Sequence, residues 1–259
     1  MKRILFYVSV VILAIVMGFI LSRIKPKKVV KLVTIDTEYS FLMGDGELAN
    51  VLYYVNDDAH ELTDINAFAR IVLEDHLSLS KVELTLYDLE VGHEEVYLGE
   101  TFKRIILTFM VPKLTEDWIF DDAYLKVETK MQESYEMRLG RVSFFQRSFN
   151  DLSYNWQSLD GRKHANDLRS RLGEIDIEFE NKIPNIKNIE IGTKAPVTHK
   201  VSDTKLTISI TQIDYLLYEV PVILTFMDGS KLTISHFRYM IDYMMLKESG
   251  PLINVYTLD

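Results

Sequence analysis

"ILTFMVPKLT", Ile106–Thr115, and "ILTFMDGSKLT", Ile223–Thr233, spell nearly the same segment twice, 117 positions apart in a chain of 259 residues. The shared run is β-branched and aromatic with a period of two, the pattern of a strand with a buried face. The two copies part at the turn. Asp228-Gly229 is the signal for a tight type I′ hairpin, because both residues tolerate positive φ. Val111-Pro112 stands in the same place in the first copy, where Pro fixes φ near −65° and cannot make that turn. A tight hairpin is therefore expected only after the second copy.

Other echoes flank the pair. "KVELTLYDL" (81–89) precedes the first copy and "KLTISITQI" (205–213) the second; "YLKVE" (124–128) and "MLKES" (245–249) come after them. The preserved order predicts a duplicated unit. Period-two segments fill the rest of the body: "YEMRLGRVSFF", "EIDIEFE", "NIEIG", "VPVILTFM" and "INVYTL". We expect a mainly β protein of two tandem antiparallel β-sandwich domains, Ig-like in architecture, at 32–148 and 174–259. One helix interrupts the first. In "TDINAFARIVLEDHL" (63–77), Ile65, Phe68, Ala69, Val72, Leu73 and His76 recur at helical spacing, with Thr63 or Asp64 as cap. The polar stretch 149–173, which contains "GRKHANDLRSRLG", reads as a linker.

Ahead of the body, Ile4–Leu21 is 18 residues without a charge. At about 27 Å as a helix it suits a hydrocarbon core of roughly 30 Å. It is longer than a signal-peptide apolar region and lacks small residues before Ser22, so it reads as an uncleaved single-span anchor. Residues 1–31 thus form an anchor and basic stem, and Pro26 keeps the stem extended. Arg23, Lys25, Lys27, Lys28 and Lys31 are placed to meet anionic headgroups, which makes membrane lipid the first expected partner. The same five cations argue for a cytoplasmic body by the positive-inside rule, but long domains obey that rule poorly, and we expect the body to be extracytoplasmic. The absence of cysteine excludes a lipoprotein-type anchor and fits either compartment.

Seven of the 29 basic residues lie in the first 31 positions, ahead of the first acid, Asp36. The other 22 face 38 acidic residues, a body charge of about −16, which argues against nucleic acid as a partner.

The chemistry-bearing motifs are few. None of the six histidines pairs with another at metal-ligand spacing, and His93 in "GHEEVY" reads as part of a polar turn. "SLSK" (Ser78, Lys81) matches Ser-x-x-Lys, but Ser78 comes after the expected helix rather than opening one, so the pair is not placed for nucleophilic chemistry. "TEDWIFDD" gathers Glu116, Asp117, Asp121 and Asp122, the best candidate for a calcium site; "NDDAHE" gathers Asp57, Asp58 and Glu61. Calcium is the one cofactor these residues suggest. Arg162, Lys163, Arg169 and Arg171 form a basic patch in an acidic body, and Tyr239 and Tyr243 sit in a Tyr- and Met-rich stretch suited to an interface.

With no nucleophile, metal set or phosphate loop, the expected role is contact rather than catalysis. The first reading is an accessory or adaptor protein in an envelope complex of transporter or secretion type. A second is a surface module binding glycan or peptide, with Trp118 or Trp156 stacking on ligand. A third is an envelope hydrolase using paired carboxylates among residues 116–122.

Overall fold

The computed structural model describes residues 29–43, 47–146, 156–163, 173–192, 197–211, 215–218, 220–237 and 244–258. The apolar segment 4–21 and the stem cations Arg23, Lys25, Lys27 and Lys28 lie outside these residues. Among the described residues no helix is long and apolar enough to cross a membrane.

The chain is mainly β. Its strands are β1 (Val30–Ile35), β2 (Thr37–Met43), β3 (Leu48–Val55), β4 (Phe68–Asp75), β5 (Lys81–Glu83), β6 (Thr85–Tyr97), β7 (Glu100–Met110), β8 (Trp118–Thr129) and β9 (Ser134–Gln146). They continue with β10 (Trp156–Arg162), β11 (Glu174–Phe179), β12 (Ile186–Ile191), β13 (Val197–Ser202), β14 (Lys205–Ile210), β15 (Leu216–Leu217), β16 (Val220–Phe226), β17 (Lys231–Phe237) and β18 (Ile253–Leu258). One short helix, α1 (Met245–Ser249), precedes β18.

A five-stranded sheet, β18-β1-β3-β7-β6, faces a six-stranded one, β15-β2-β9-β8-β4-β5. Between them lies a core that includes Tyr39, Tyr53, Ile71, Leu107, Phe109, Leu125, Val142 and Phe144. A second sandwich packs β10-β11-β14-β13 on β12-β16-β17, around Ile175, Ile177, Phe179, Leu206, Ile208, Leu224 and Phe226. Alternate residues of the strands supply each core, as the period-two reading requires.

The echo occupies a central strand in each sandwich. On β7, Leu107 and Phe109 are buried while Ile106 and Thr108 are less so; on β16, Leu224 and Phe226 repeat the pattern beside Ile223 and Thr225. After β7 the chain passes Pro112, buries Leu114 and crosses to the other sheet as β8. After β16 it turns straight back as β17. The turn is not type I′. Gly229 N–H donates to Phe226 O (3.0 Å) and Phe226 N–H to Ser230 O (2.9 Å), and Gly229 alone in the turn has positive φ, +86°. That is a three-residue loop ending in a glycine bulge.

The other echoes do not occupy matching places. "KVELTLYDL" splits across both sheets as β5 and β6, whereas "KLTISI" is β14; "YLKVE" lies in β8, whereas "MLKES" is α1. The shared run is what a central sandwich strand demands, and the positions of its neighbours do not repeat.

Three further differences from the sequence reading stand out. The expected helix at 63–77 is a pair of 3₁₀ turns, Glu61–Thr63 and Ile65–Ala67, followed by β4. β4 is buried on both faces at Ile71, Val72 and Leu73, which fills the positions a helical stripe would also fill; ladders to β8 and β5 decide for strand. The sheets are not purely antiparallel, because β2 pairs in parallel with β9 and β15. Finally, β10, from the stretch read as linker, joins the second sandwich, and β18, expected in the second, pairs with β1 of the first from Val30↔Leu258 to Ile35↔Ile253.

Candidate functional site

A cleft of about 700 Å³ opens at the end of the first sandwich where β1 begins. Its walls are Val29, Lys31, Asn56, Asp58, Glu94, Glu100, Thr101 and Lys103, of which only Val29 is apolar.

Asn56 organises the cleft. It sits directly after the last residue of β3, and its side chain extends the β1–β3 ladder: Oδ1 accepts from Lys31 N–H (2.8 Å), while Nδ2 donates to Val29 O (3.1 Å) and Glu100 Oε2 (3.0 Å). An Asn amide at a strand end can stand in for a peptide group in this way. Lys31 Nζ forms an ion pair with the other Glu100 oxygen. Across the cleft Lys103 Nζ lies 2.6 Å from Asp58 Oδ2 and 3.9 Å from Glu94 Oε1. The hydrogen bond that Lys103 donates to Asp58 raises the Lys103 pKa. The cleft thus presents alternating donors and acceptors in which each lysine already faces a carboxylate.

The residues singled out in the sequence are dispersed. Lys31, expected at a membrane surface, is held in the cleft by Glu100. Asp121 bonds Arg141 Nε (3.0 Å) and Asp122 bonds Arg138 Nε (2.8 Å), while Asp117 Oδ1 accepts from Gln146 N–H (2.7 Å). Glu116 is exposed in the loop before β8. Among the described residues no group of three or more His, Cys, Asp or Glu side chains is placed to hold a metal ion. Arg162 bridges Glu174 (2.6 Å) and Asp176 (2.8 Å) of neighbouring β11, and Lys163 is exposed at the end of β10. Arg169, Arg171, Tyr239 and Tyr243 lie outside the described residues, as does the side chain of Trp156. Trp118 packs against the first core, edge-on to Phe144.

Two histidines differ from their sequence reading. His76 sits beyond β4 and stacks on Tyr124 with ring centroids 3.7 Å apart, rather than facing a helix core. His93, read as a turn residue, lies on a bulge of β6 with Nε2 3.4 Å from the buried carboxylate of Glu95. Ser78 Oγ donates to Asp75 Oδ2 (2.7 Å), and Lys81 opens β5. The cleft itself was not legible as a site. Its walls come from β1, the end of β3, β6 and β7, and of them only Asp58, in "NDDAHE", and Lys31, read for a membrane surface, are singled out by the sequence.

No protein-family model matches the chain, and no curated protein matches it. Among solved structures, the sialic acid binding region of a Streptococcus sanguinis SK1 adhesin aligns over 82% of this chain and 78% of its own, at 8% identity and a TM-score of 0.20. SGBP-B of the Bacteroides ovatus mixed-linkage glucan utilization locus, solved with a mixed-linkage heptasaccharide, aligns over 83% of this chain and 60% of its own, at 11% identity and a TM-score of 0.22. At those scores neither likeness bears on what this chain binds.

Proposed function

We propose that the protein is a membrane-anchored, extracytoplasmic binding protein that works by contact, and that the cleft beside Lys31 and Lys103 takes a neutral, polyhydroxylated ligand of the glycan class. The observation that carries this is that both lysines of the walls are already paired with carboxylates. Lys31 faces Glu100, and Lys103 faces Asp58 and Glu94. An anionic ligand would have to displace a carboxylate from a lysine, a small cost for pairs this exposed. Sugar hydroxyls donate and accept at once, so they can bridge Asn56, Thr101 and the paired charges without breaking them. With the apolar segment ending at Leu21 and β1 starting at Val30, the chain between them can reach at most ~30 Å, which bounds the distance of the cleft from the bilayer.

Binding is tested on the full chain in neutral detergent against an oligosaccharide array. Retention of a defined oligosaccharide, lost in the double variant N56A/K103M, supports the reading; no retention, or equal retention by the variant, removes it. Topology is tested separately. The chain has no cysteine, and Met227 is exposed on the β16–β17 turn, so M227C in intact cells reports its side of the membrane. Labelling by an impermeant maleimide without lysis is expected; labelling only after lysis puts the body in the cytoplasm.

The accessory role in an envelope complex is the second reading, and one observation favours it. β6 forms an edge of the five-stranded sheet, and Tyr87, Val91 and Val96 on it, with Leu98 just beyond, are exposed. Apolar side chains gathered on an outer edge are what a protein partner would cover.

A further inference from the structure

The described arginines of this acidic body pair with carboxylates, with one exception. Arg70 meets Glu83 and Glu128, Arg138 meets Asp36 and Asp122, Arg141 meets Glu38 and Asp121, and Arg162 meets Glu174 and Asp176. Among the described residues Arg104 has no ion-pair partner, and its Nε is buried without an acceptor.

Arg104 is fixed in place. It lies near the middle of β7, with Tyr54 opposite on β3, on the face of the five-stranded sheet turned away from the first core. On its other side β6 bulges between Val91 and Glu94. Gly92 in that bulge offers no side chain: a Cβ there would stand 3.1 Å from Arg104 Nε. A side chain at 92 would press on the guanidinium and require it to shift by a few tenths of an ångström. The carboxylate sharing this face, Glu95, is committed elsewhere. It accepts from Tyr54 OH (3.0 Å) and Leu246 N–H (2.8 Å), sits 3.4 Å from His93, and makes no ion pair with Arg104. Burial drives the Tyr54 pKa well up, Glu95 adds to the rise, and Arg104 opposes it, which places the Arg104 charge close to this group. A buried donor of a charged group left without an acceptor is costly, and an ion that supplies the acceptor is one way such a group is satisfied.

We propose that Arg104, seated in the Gly92 notch, is a binding site for an oxyanion: a carboxylate or phosphate group whose oxygens complete the guanidinium fork. The Arg104 residue is partly exposed, and Glu95, which already accepts from Tyr54 and Leu246, makes no ion pair with it. Neither Arg104 nor Gly92 lines the cleft, so the test does not depend on the glycan reading.

The test uses the full chain in neutral detergent, with sodium acetate or inorganic phosphate as probe and sodium chloride at matched ionic strength as control. The readout is the Arg104 Nε–H resonance, assigned by its loss in R104Q, together with the His93 ring signals. The expected result is a saturable shift of both with acetate or phosphate and not with chloride. The His93 response should be lost in R104Q and weakened in G92A and in R104K, which keeps the charge but not the fork. Saturation by acetate alone names a carboxylate ligand, and saturation by phosphate alone a phosphate one. An Arg104 signal unmoved by both, or moved equally by chloride, overturns the proposal. So does a His93 response that survives in folded R104Q; should that variant not fold, an undiminished response in G92A overturns it equally.

Discussion

Gly229 and Gly140 both hold positive φ, +86° and +107°, yet they answer a methyl group differently. Around Gly229 a Cβ meets nothing within 4 Å, so G229A pays only for the backbone conformation, about 1 kcal/mol. At Gly140 a Cβ would stand 2.6 Å from both N and O of Thr37 on the parallel strand β2. Backbone cannot swing aside as a side chain can, so G140A should cost several times more, on the order of 3 kcal/mol or above, and separate β2 from β9. Urea unfolding of the two variants measures the contrast; equal losses would mean that the contact at Thr37 relaxes. Asp75 and Asp176 contribute to the acid response. Burial alone would raise each pKa. Hydrogen bonds from Ser78, Leu77 N–H and Asp122 N–H outweigh it at Asp75, and Thr207, Lys205 and Arg162 do so at Asp176. Both carboxyls titrate below the usual range, so the stability they supply is complete above about pH 4 and is lost as pH falls through the lowered folded values. D75N and D176N should flatten the stability profile below about pH 4 and leave its slope at neutral pH unchanged, as read from denaturation midpoints across pH.

The last strand is the element on which the first sandwich depends most visibly. β18 pairs along the whole of β1, and Asp36 N–H donates to Leu252 O (2.8 Å) just before that ladder. Asn254 Nδ2 bonds Asp36 Oδ1 (2.7 Å), and Tyr256 OH accepts from Arg138 N–H (2.9 Å). A chain truncated after Leu252 therefore leaves an edge of β1 without partners. Hydrogen exchange should quicken in β1 while β11 and β14, which pair within the second sandwich, keep their protection. Unchanged exchange in β1 would mean that its pairing with β3 suffices. α1 is held in a related way: Leu246 N–H bonds Glu95, and Met245 and Leu246 cover Val33, Leu52 and Tyr54 on the outer face of the same sheet.

A buried charge lies where the two sandwiches meet. Glu38 on β2 is 2% exposed, bonds Arg141 Nη1 (3.2 Å), and lies where a Cβ on Gly192, just past β12, would come within 2.0 Å of its carboxylate. Arg141 also bonds Asp121 and stacks over Tyr215 at 4.7 Å. R141M removes the guanidinium from a buried carboxylate and should destabilise by about 3–5 kcal/mol, with E38Q/R141M recovering much of that. A double variant as unstable as R141M alone would show that Arg141 acts through packing on Tyr215. G192A should loosen the junction without unfolding either core, seen as faster proteolysis between β12 and β16.

Local chemistry sufficed for part of this protein. The period-two runs, the hairpin at Asp228-Gly229 and its absence at Pro112 arise from backbone preferences acting over a few residues. The sequence therefore determined that the body is β, where one tight hairpin falls, and that an apolar segment and basic stem precede it. It misjudged 63–77, because a strand buried on both faces fills helical and strand templates alike, and only the ladders to β5 and β8 choose between them. The return of β18 to β1 and the crossing of β7 to β8 were beyond it for another reason. Many strands could satisfy a given edge, and packing of the whole chain selects the one that also closes the core. The cleft and Arg104 belong to that second class. Lys31, Asn56, Glu94 and Lys103 become neighbours only when four strands register, and Arg104 is distinguished only by the carboxylates the fold directs to every other described arginine.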